Sequence, residues 1–165
     1  MGRTAVDDET DPTVYPEEER VGEEMLQRWI AEILRPLLER YLNGEADRSP
    51  CFVGADQFIY YRQHDPLKRF APDVYVIPGL DPGTRVRSWK VWKTGRAPSF
   101  GLEVVSSHAW RKDYIEAPER CDEAGFDELL VFDPEFADRP GGEGARFQVW
   151  RRQASGRFER VERHD

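Results

Sequence analysis

Cysteine, histidine and methionine are scarce in this 165-residue chain, which holds two, three and two of them respectively. Two cysteines, Cys51 and Cys121, build no disulfide framework, so a reducing, cytoplasmic setting is the expectation. With His64 they could be imagined around zinc, but no paired spacing such as C-x-x-C exists, and both read as small core residues. Long apolar runs are also absent. All fall far short of the about 20 residues needed to cross a bilayer, so no membrane span is expected. The N-terminus is polar and acidic and lacks the apolar stretch of a signal peptide. Net positive charge is missing too. With 24 Lys and Arg against 32 Asp and Glu the net charge is -8, which taken alone argues against a nucleic-acid partner. What remains is 39% hydrophobic and 12% aromatic residues, enough for one domain with a packed core.

The charge is unevenly spread. Residues 1–20 carry a net -5 and residues 113–143 a net -9. Residues 84–112 hold seven bases, namely Arg85, Arg87, Lys90, Lys93, Arg96, Arg111 and Lys112, around the single acid Glu103. A local basic face on an acidic molecule is therefore compatible with DNA, with binding expected to be weak, salt-sensitive and confined to that face.

Residues 1–18 lack apolar periodicity and read as a mobile acidic tail, leaving 19–165 as a single domain. From Glu18 to Asn43 apolar residues recur at helical spacing, and Pro36 predicts a kink or a break near Arg35. Strands are expected over Phe52–Arg62, Asp73–Pro78, Phe100–Ser106 and Glu128–Asp133, with Arg85–Trp92 either strand or loop. Pro118 suggests a helix limited to Glu119–Ala124 with irregular chain before it. Ala145–Arg152 and Arg157–Glu162 form a hairpin pattern around Ser155-Gly156. The order gives an α/β domain built on a mixed sheet flanked by helices.

Two carboxylates sit where carboxylates are costly. Glu103 lies inside Leu102-Glu103-Val104-Val105, and Asp73 opens the run Val74-Tyr75-Val76-Ile77. A buried unpaired carboxylate costs several kcal/mol, so Glu103 must be paired, protonated, metal-bound or at an open cleft. Two carboxylates on neighbouring strands suit Mg²⁺ or Mn²⁺, whose remaining positions take water and phosphate. Alternatively, Glu103 pairs with a nearby base and Asp73 caps a turn after Pro72.

The chain resembles the Uma2 (DUF820) family of the PD-(D/E)XK nuclease superfamily. The resemblance runs from Phe52 to Pro134. It rests on Val53-Gly54-Ala55-Asp56-Gln57-Phe58-Ile59-Tyr60-Tyr61, Ala71-Pro72-Asp73-Val74-Tyr75-Val76, Arg87-Ser88-Trp89 through Trp92, Gly95 and Pro98, Leu102-Glu103-Val104-Val105-Ser106, Asp113, and Gly125-Phe126-Asp127-Glu128 with Val131-Phe132-Asp133-Pro134. It implies a restriction-endonuclease-like fold and metal-dependent hydrolysis of DNA phosphodiesters. Asp73 and Glu103 would be the metal carboxylates, and the Val104 carbonyl would join them. The superfamily lysine two residues after the glutamate is Val105 here, and the family's alternative place for it, four residues after Asp113, is Ala117. The expected tyrosine is Cys121, and the Ser-Pro-Ser-Thr after the glutamate strand is Ser106-Ser107-His108-Ala109. Lys112 or Arg111 could stand in for the lysine if the altered segment turns inward; Lys112 as a solvated surface residue is the competing reading.

Trp89 and Trp92, interleaved with Lys90 and Lys93, could stack on bases, although aromatics in such a segment more often pack against the domain. Arg85, Arg87, Lys90, Lys93, Arg96 and Arg111 are the candidate DNA contacts. His64 and His108 are read as loop residues, and Asp56 and Glu39 as accessory carboxylates at most. An active endonuclease is one reading, and an inactive nuclease-fold protein that binds DNA or another protein is the second. An unrelated α/β domain is the third. A homodimer fits the resemblance, but no segment marks an interface.

Overall fold

The computed structural model describes residues 12–15, 25–45 and 47–165. Helix α1 spans Met25–Asn43. Strands β1 (Cys51–Gly54), β2 (Phe58–Tyr60), β3 (Arg69–Phe70), β4 (Val74–Pro78) and β5 (Ser88–Lys90) follow, then the short helix α2 (Val91–Thr94). Strand β6 (Phe100–Val104), helix α3 (Trp110–Ala124) and strand β7 (Glu128–Phe132) form a β-α-β unit. Strands β8 (Phe147–Arg152) and β9 (Phe158–His164) close the chain as a hairpin.

Six strands form one mixed sheet in the order β1-β4-β6-β7-β8-β9, in which only β6 and β7 run parallel. That pair is joined through α3, as a parallel pair requires a crossover. A smaller sheet, β3-β2-β5, stands apart. The helices cover opposite faces of the large sheet. Side chains alternate along a strand, so Val74 and Val76 of β4 and Leu102 and Val104 of β6 meet α1 through Ala31, Ile30, Leu34 and Leu38. Tyr75 and Ile77 meet the α3 side, where Ala117, Cys121 and Ala124 pack with Phe126 and Leu129. Gly101 of β6 lies on that side too, and a Cβ there would stand 2.9 Å from the Phe126 ring. Gly125 ends α3 at φ +85°, a left-handed conformation in which glycine carries no Cβ penalty.

Three expectations differ from the fold. Of the kink or break expected near Arg35, the break does not occur: α1 runs through Pro36 as one element. Likewise α3 begins at Trp110, eight residues before Pro118, instead of near Glu119. In each case the proline removes one N–H, but apolar side chains before and after it are packed on the sheet, and that packing outweighs the lost bond. The third is the segment Phe52–Arg62, which is two strands in two sheets. The chain turns between them at Asp56, which has φ +60° and donates its N–H to the Pro72 carbonyl at 3.2 Å. Most of the acidic tail lies outside the described residues. Of residues 12–15, Tyr15 packs edge-on to Tyr60 and against Trp92, and its hydroxyl accepts the His64 N–H at 3.0 Å.

Candidate active site

The alternation that sends Leu102 and Val104 toward α1 sends Glu103 toward α3. Antiparallel pairing of β4 with β6 ends at Val74 opposite Leu102. One step further the register sets Asp73 opposite Glu103, on the same face, where directly opposed Cβ atoms lie about 4.5–5.5 Å apart. The two carboxylates singled out in the sequence thus meet.

Strand β6 runs past the start of β4, so Val104 has no strand partner on that side. Asp73 Oδ2 accepts the Val104 N–H at 2.5 Å, and the Gln27 side chain of α1 donates to the Val104 carbonyl at 2.6 Å. Asp73 therefore caps an orphaned backbone group, but at the end of a neighbouring strand, a different role from the turn cap after Pro72 that the sequence also allowed, and it stands beside Glu103 while doing so.

Glu103 pairs with none of the bases that flank it in sequence. The residue is half-buried, yet its Oε2 is shut off from solvent and has no hydrogen-bond partner. Burial pushes its carboxyl well above the ordinary range, and repulsion from Asp73 and then Asp113 adds to this. The field reaches Cys121, whose thiol is pushed up first by its own burial and then by Glu103. Asp113, in the first turn of α3, accepts both the Ser106 N–H at 2.9 Å and the Ser106 hydroxyl at 2.7 Å. This clamp fixes the chain as it leaves β6.

Other sequence candidates fall elsewhere. Lys112 is exposed and reaches Glu116 at 4.0 Å, one turn along α3. Arg111 lies over the Trp110 ring and meets Glu143 at 3.4 Å. Ala117, at the place the resemblance reserves for lysine, is buried on the α3 face that carries Cys121. The basic stretch is continuous in sequence but leaves the carboxylates in space. Arg96 donates to the Pro78 carbonyl at 2.9 Å, at the end of β4 opposite Asp73. Lys90 stands over the Tyr15 ring, Lys93 is half-buried, and Arg85 and Arg87 are exposed. Trp89 is buried and donates to the Arg96 carbonyl at 3.0 Å, and Trp92 is half-buried beside Tyr15, so both pack against the domain. His64 and His108 are exposed, and Glu39 pairs with Arg35 at 4.0 Å. Asp56 borders an open cavity of about 230 Å³ with Arg28, Ala31, Glu32 and Ala55. Among the described residues no three His, Cys, Asp or Glu side chains cluster as a metal ligand set, and Cys51 and Cys121 are free thiols. Gln27, one polar residue on a helix, carried no sequence signal as part of a site; Ser106 and Asp113 belong to the resemblance, but their mutual bonds were not legible in it.

No family model matches the chain, and no curated protein does. A solved structure does: a protein of Anabaena variabilis described as "a putative nuclease belonging to DUF820", with a TM-score of 0.54 over 84% of this chain and 68% of that one. The chain has a nuclease-like fold. At 13% identity the likeness concerns the fold alone, and it agrees with the architecture that the sequence resemblance implied. No helix among the described residues is long and apolar enough to cross a membrane.

Proposed function

We propose that this protein hydrolyses DNA phosphodiesters with a divalent cation, Mg²⁺ or Mn²⁺, held by Asp73, Glu103 and the Val104 carbonyl. The observation that carries this reading is Glu103 Oε2, a carboxylate oxygen buried without a hydrogen bond and directly opposite a second carboxylate. A cation satisfies both groups at once, and Mg²⁺ needs only one or two protein carboxylates because it keeps its waters. The Val104 carbonyl has a second lone pair beyond the one Gln27 uses. When bound, the cation supplies a more acidic water and neutralises charge on the phosphoryl oxygens.

The chain's own residues do the positioning. Asp73 is aimed by its bond to the Val104 N–H, and Gln27 holds the same peptide from α1. The Ser106–Asp113 clamp fixes the strand end that carries Glu103. Arg85 and Arg87, exposed on the loop before β5, would meet phosphate away from the two carboxylates, along the nucleic-acid backbone. With alanine where the resemblance implies lysine, transition-state stabilisation is reduced, and a loss of about 10²–10³ in rate is expected.

A second reading keeps the fold and drops the chemistry, leaving a DNA-binding or protein-interaction module. The burial of Ala117 and the pairing of Lys112 with Glu116 favour it. Plasmid nicking in Mg²⁺ and in Mn²⁺, compared with Glu103→Ala, separates the two. Nicking by the wild type alone supports catalysis. Equal background in both proteins supports the module.

A further inference from the structure

Helix α1 has two apolar faces, and among the described residues only one is packed on the domain. Ala31, Ile30, Leu34, Leu38 and Leu42 pack on the sheet. Met25, Trp29, Ile33, Leu37 and Tyr41 recur every four residues along a second ridge and are 54% to 69% exposed. Arg48 lies 5.7 Å over the Tyr41 ring, and among the described residues no other ring or cation contact falls on the ridge. At 1.5 Å per residue the ridge is about 24 Å long. A soluble chain rarely leaves so large a continuous apolar strip to water.

We propose that this ridge is the contact between two copies of the chain, packed α1 against α1 about a two-fold axis near Ile33. The i, i+4 ridge of one helix fits the grooves of another at a crossing angle of about -50°. An isologous pair sets each ridge on the same ridge of its partner, so Trp29 of one copy approaches Leu37 of the other.

Three observations favour a second copy over other occupants. The first is area. At roughly 100 Å² per side chain the ridge offers about 500 Å² per copy, and a pair reaches the about 1,000 Å² expected of a specific interface. The second is charge. On a molecule of net -8, α1 carries Arg28, Arg35 and Arg40 against Glu32 and Glu39. Arg28 pairs with Glu32 at 2.9 Å and Arg35 with Glu39 at 4.0 Å. The strip is thus nearly neutral and selects neither a basic nor an acidic partner, and two copies meet there without local repulsion. The third is composition. The 24 residues before α1 hold nine acids and few apolar side chains, a poor cover for this ridge. The inference does not rest on the catalytic reading, although Gln27 places α1 against the candidate site.

The test is the solution mass of the full-length chain by sedimentation equilibrium. The expected result is twice the 19.2 kDa chain mass. Ile33→Glu places like charges face to face on the axis and should raise the dimer dissociation constant about 30-fold or more, the effect of losing one central anchor. Ile33 is 61% exposed, so the far-UV spectrum and melting temperature of the Ile33→Glu monomer should stay close to those of the wild type. As a second probe, Ile33→Cys should form a disulfide-linked dimer on mild oxidation, while the wild type with Cys51 and Cys121 should not. A monomeric wild type overturns the proposal. So does a dimer that Ile33→Glu leaves intact.

Discussion

Asp73, just before β4, accepts the backbone N–H of Val104 on β6 at 2.5 Å, and this bond brings two carboxylates side by side at a strand end. Asp73 takes an orphaned strand-end N–H and in doing so stands opposite Glu103. The strand pairing therefore sets the site's geometry before any ligand arrives. The cost falls on Glu103, whose Oε2 is shut off from solvent and has no hydrogen-bond partner.

Removing that cost should be visible without metal. Glu103→Gln abolishes the charge that burial and Asp73 both oppose. In EDTA at neutral pH the variant should melt above the wild type. A lower melting temperature would mean that Glu103 already has a stabilising partner.

Gln27 should matter to stability through one bond. Gln27→Ala leaves the Val104 carbonyl without its 2.6 Å donor, at an expected cost of about 1–2 kcal/mol by urea denaturation. If Gln27 also orients the site, nicking should fall further than the lost stability explains.

Ala117 is the direct test of the missing lysine. It shares a buried face of α3 with Cys121, whose thiol senses Glu103. Ala117→Lys should bring an ammonium toward the carboxylates and raise nicking by about 10-fold or more, part of what such a group contributes. A folded variant with unchanged nicking would show that the position is unrelated to catalysis.

The buried pair against the first turns of α3 is structural. Arg139 meets Asp133 at 2.9 Å through both its Nε and its Nη2, and Tyr114 donates its hydroxyl to the same carboxylate at 2.7 Å. Asp133→Asn strands a buried guanidinium and should cost about 3–5 kcal/mol in urea unfolding. Burial and the bond to Asp133 push the Tyr114 hydroxyl from its ordinary 10.0 up to about 12. The folded form thus holds this proton more tightly than the unfolded chain does. Its contribution to stability is complete below pH 10 and is lost as pH rises toward 12. Tyr61 and Tyr75 shift in the same direction. Tyr114→Phe should therefore flatten part of the alkaline decline in stability, measured from pH 9 to about 12.

The parts of this fold that were legible in sequence are those where burial is symmetric. Val74-Tyr75-Val76-Ile77 and Leu129-Leu130-Val131-Phe132 are apolar on both faces because helices cover the sheet above and below. A lone Glu103 in such a run stands out for the same reason. Where one local rule met a tertiary demand, the local rule lost. Pro36 and Pro118 lie inside continuous helices because sheet packing holds both sides of each proline. The turn at Asp56 was hidden, since its positive φ falls on a non-glycine residue between apolar runs. The basic stretch misled in another way: neighbours of Glu103 in sequence diverge with β5 and α2, so Arg96 ends near Pro78 and not near the carboxylates. Gln27 was invisible because a single amide on a helix reads as surface, and the exposed ridge of α1 was not separated from its packed face because helical periodicity does not distinguish one apolar face from two.

The central claim is that Asp73 and Glu103 form one divalent-cation site. Calorimetric titration of Mn²⁺ into the wild type, Asp73→Asn and Glu103→Gln tests it directly, with folding of each checked by circular dichroism. The account predicts one site in the wild type that both variants lose. Equal Mn²⁺ binding by all three proteins, or none by the wild type, would contradict it.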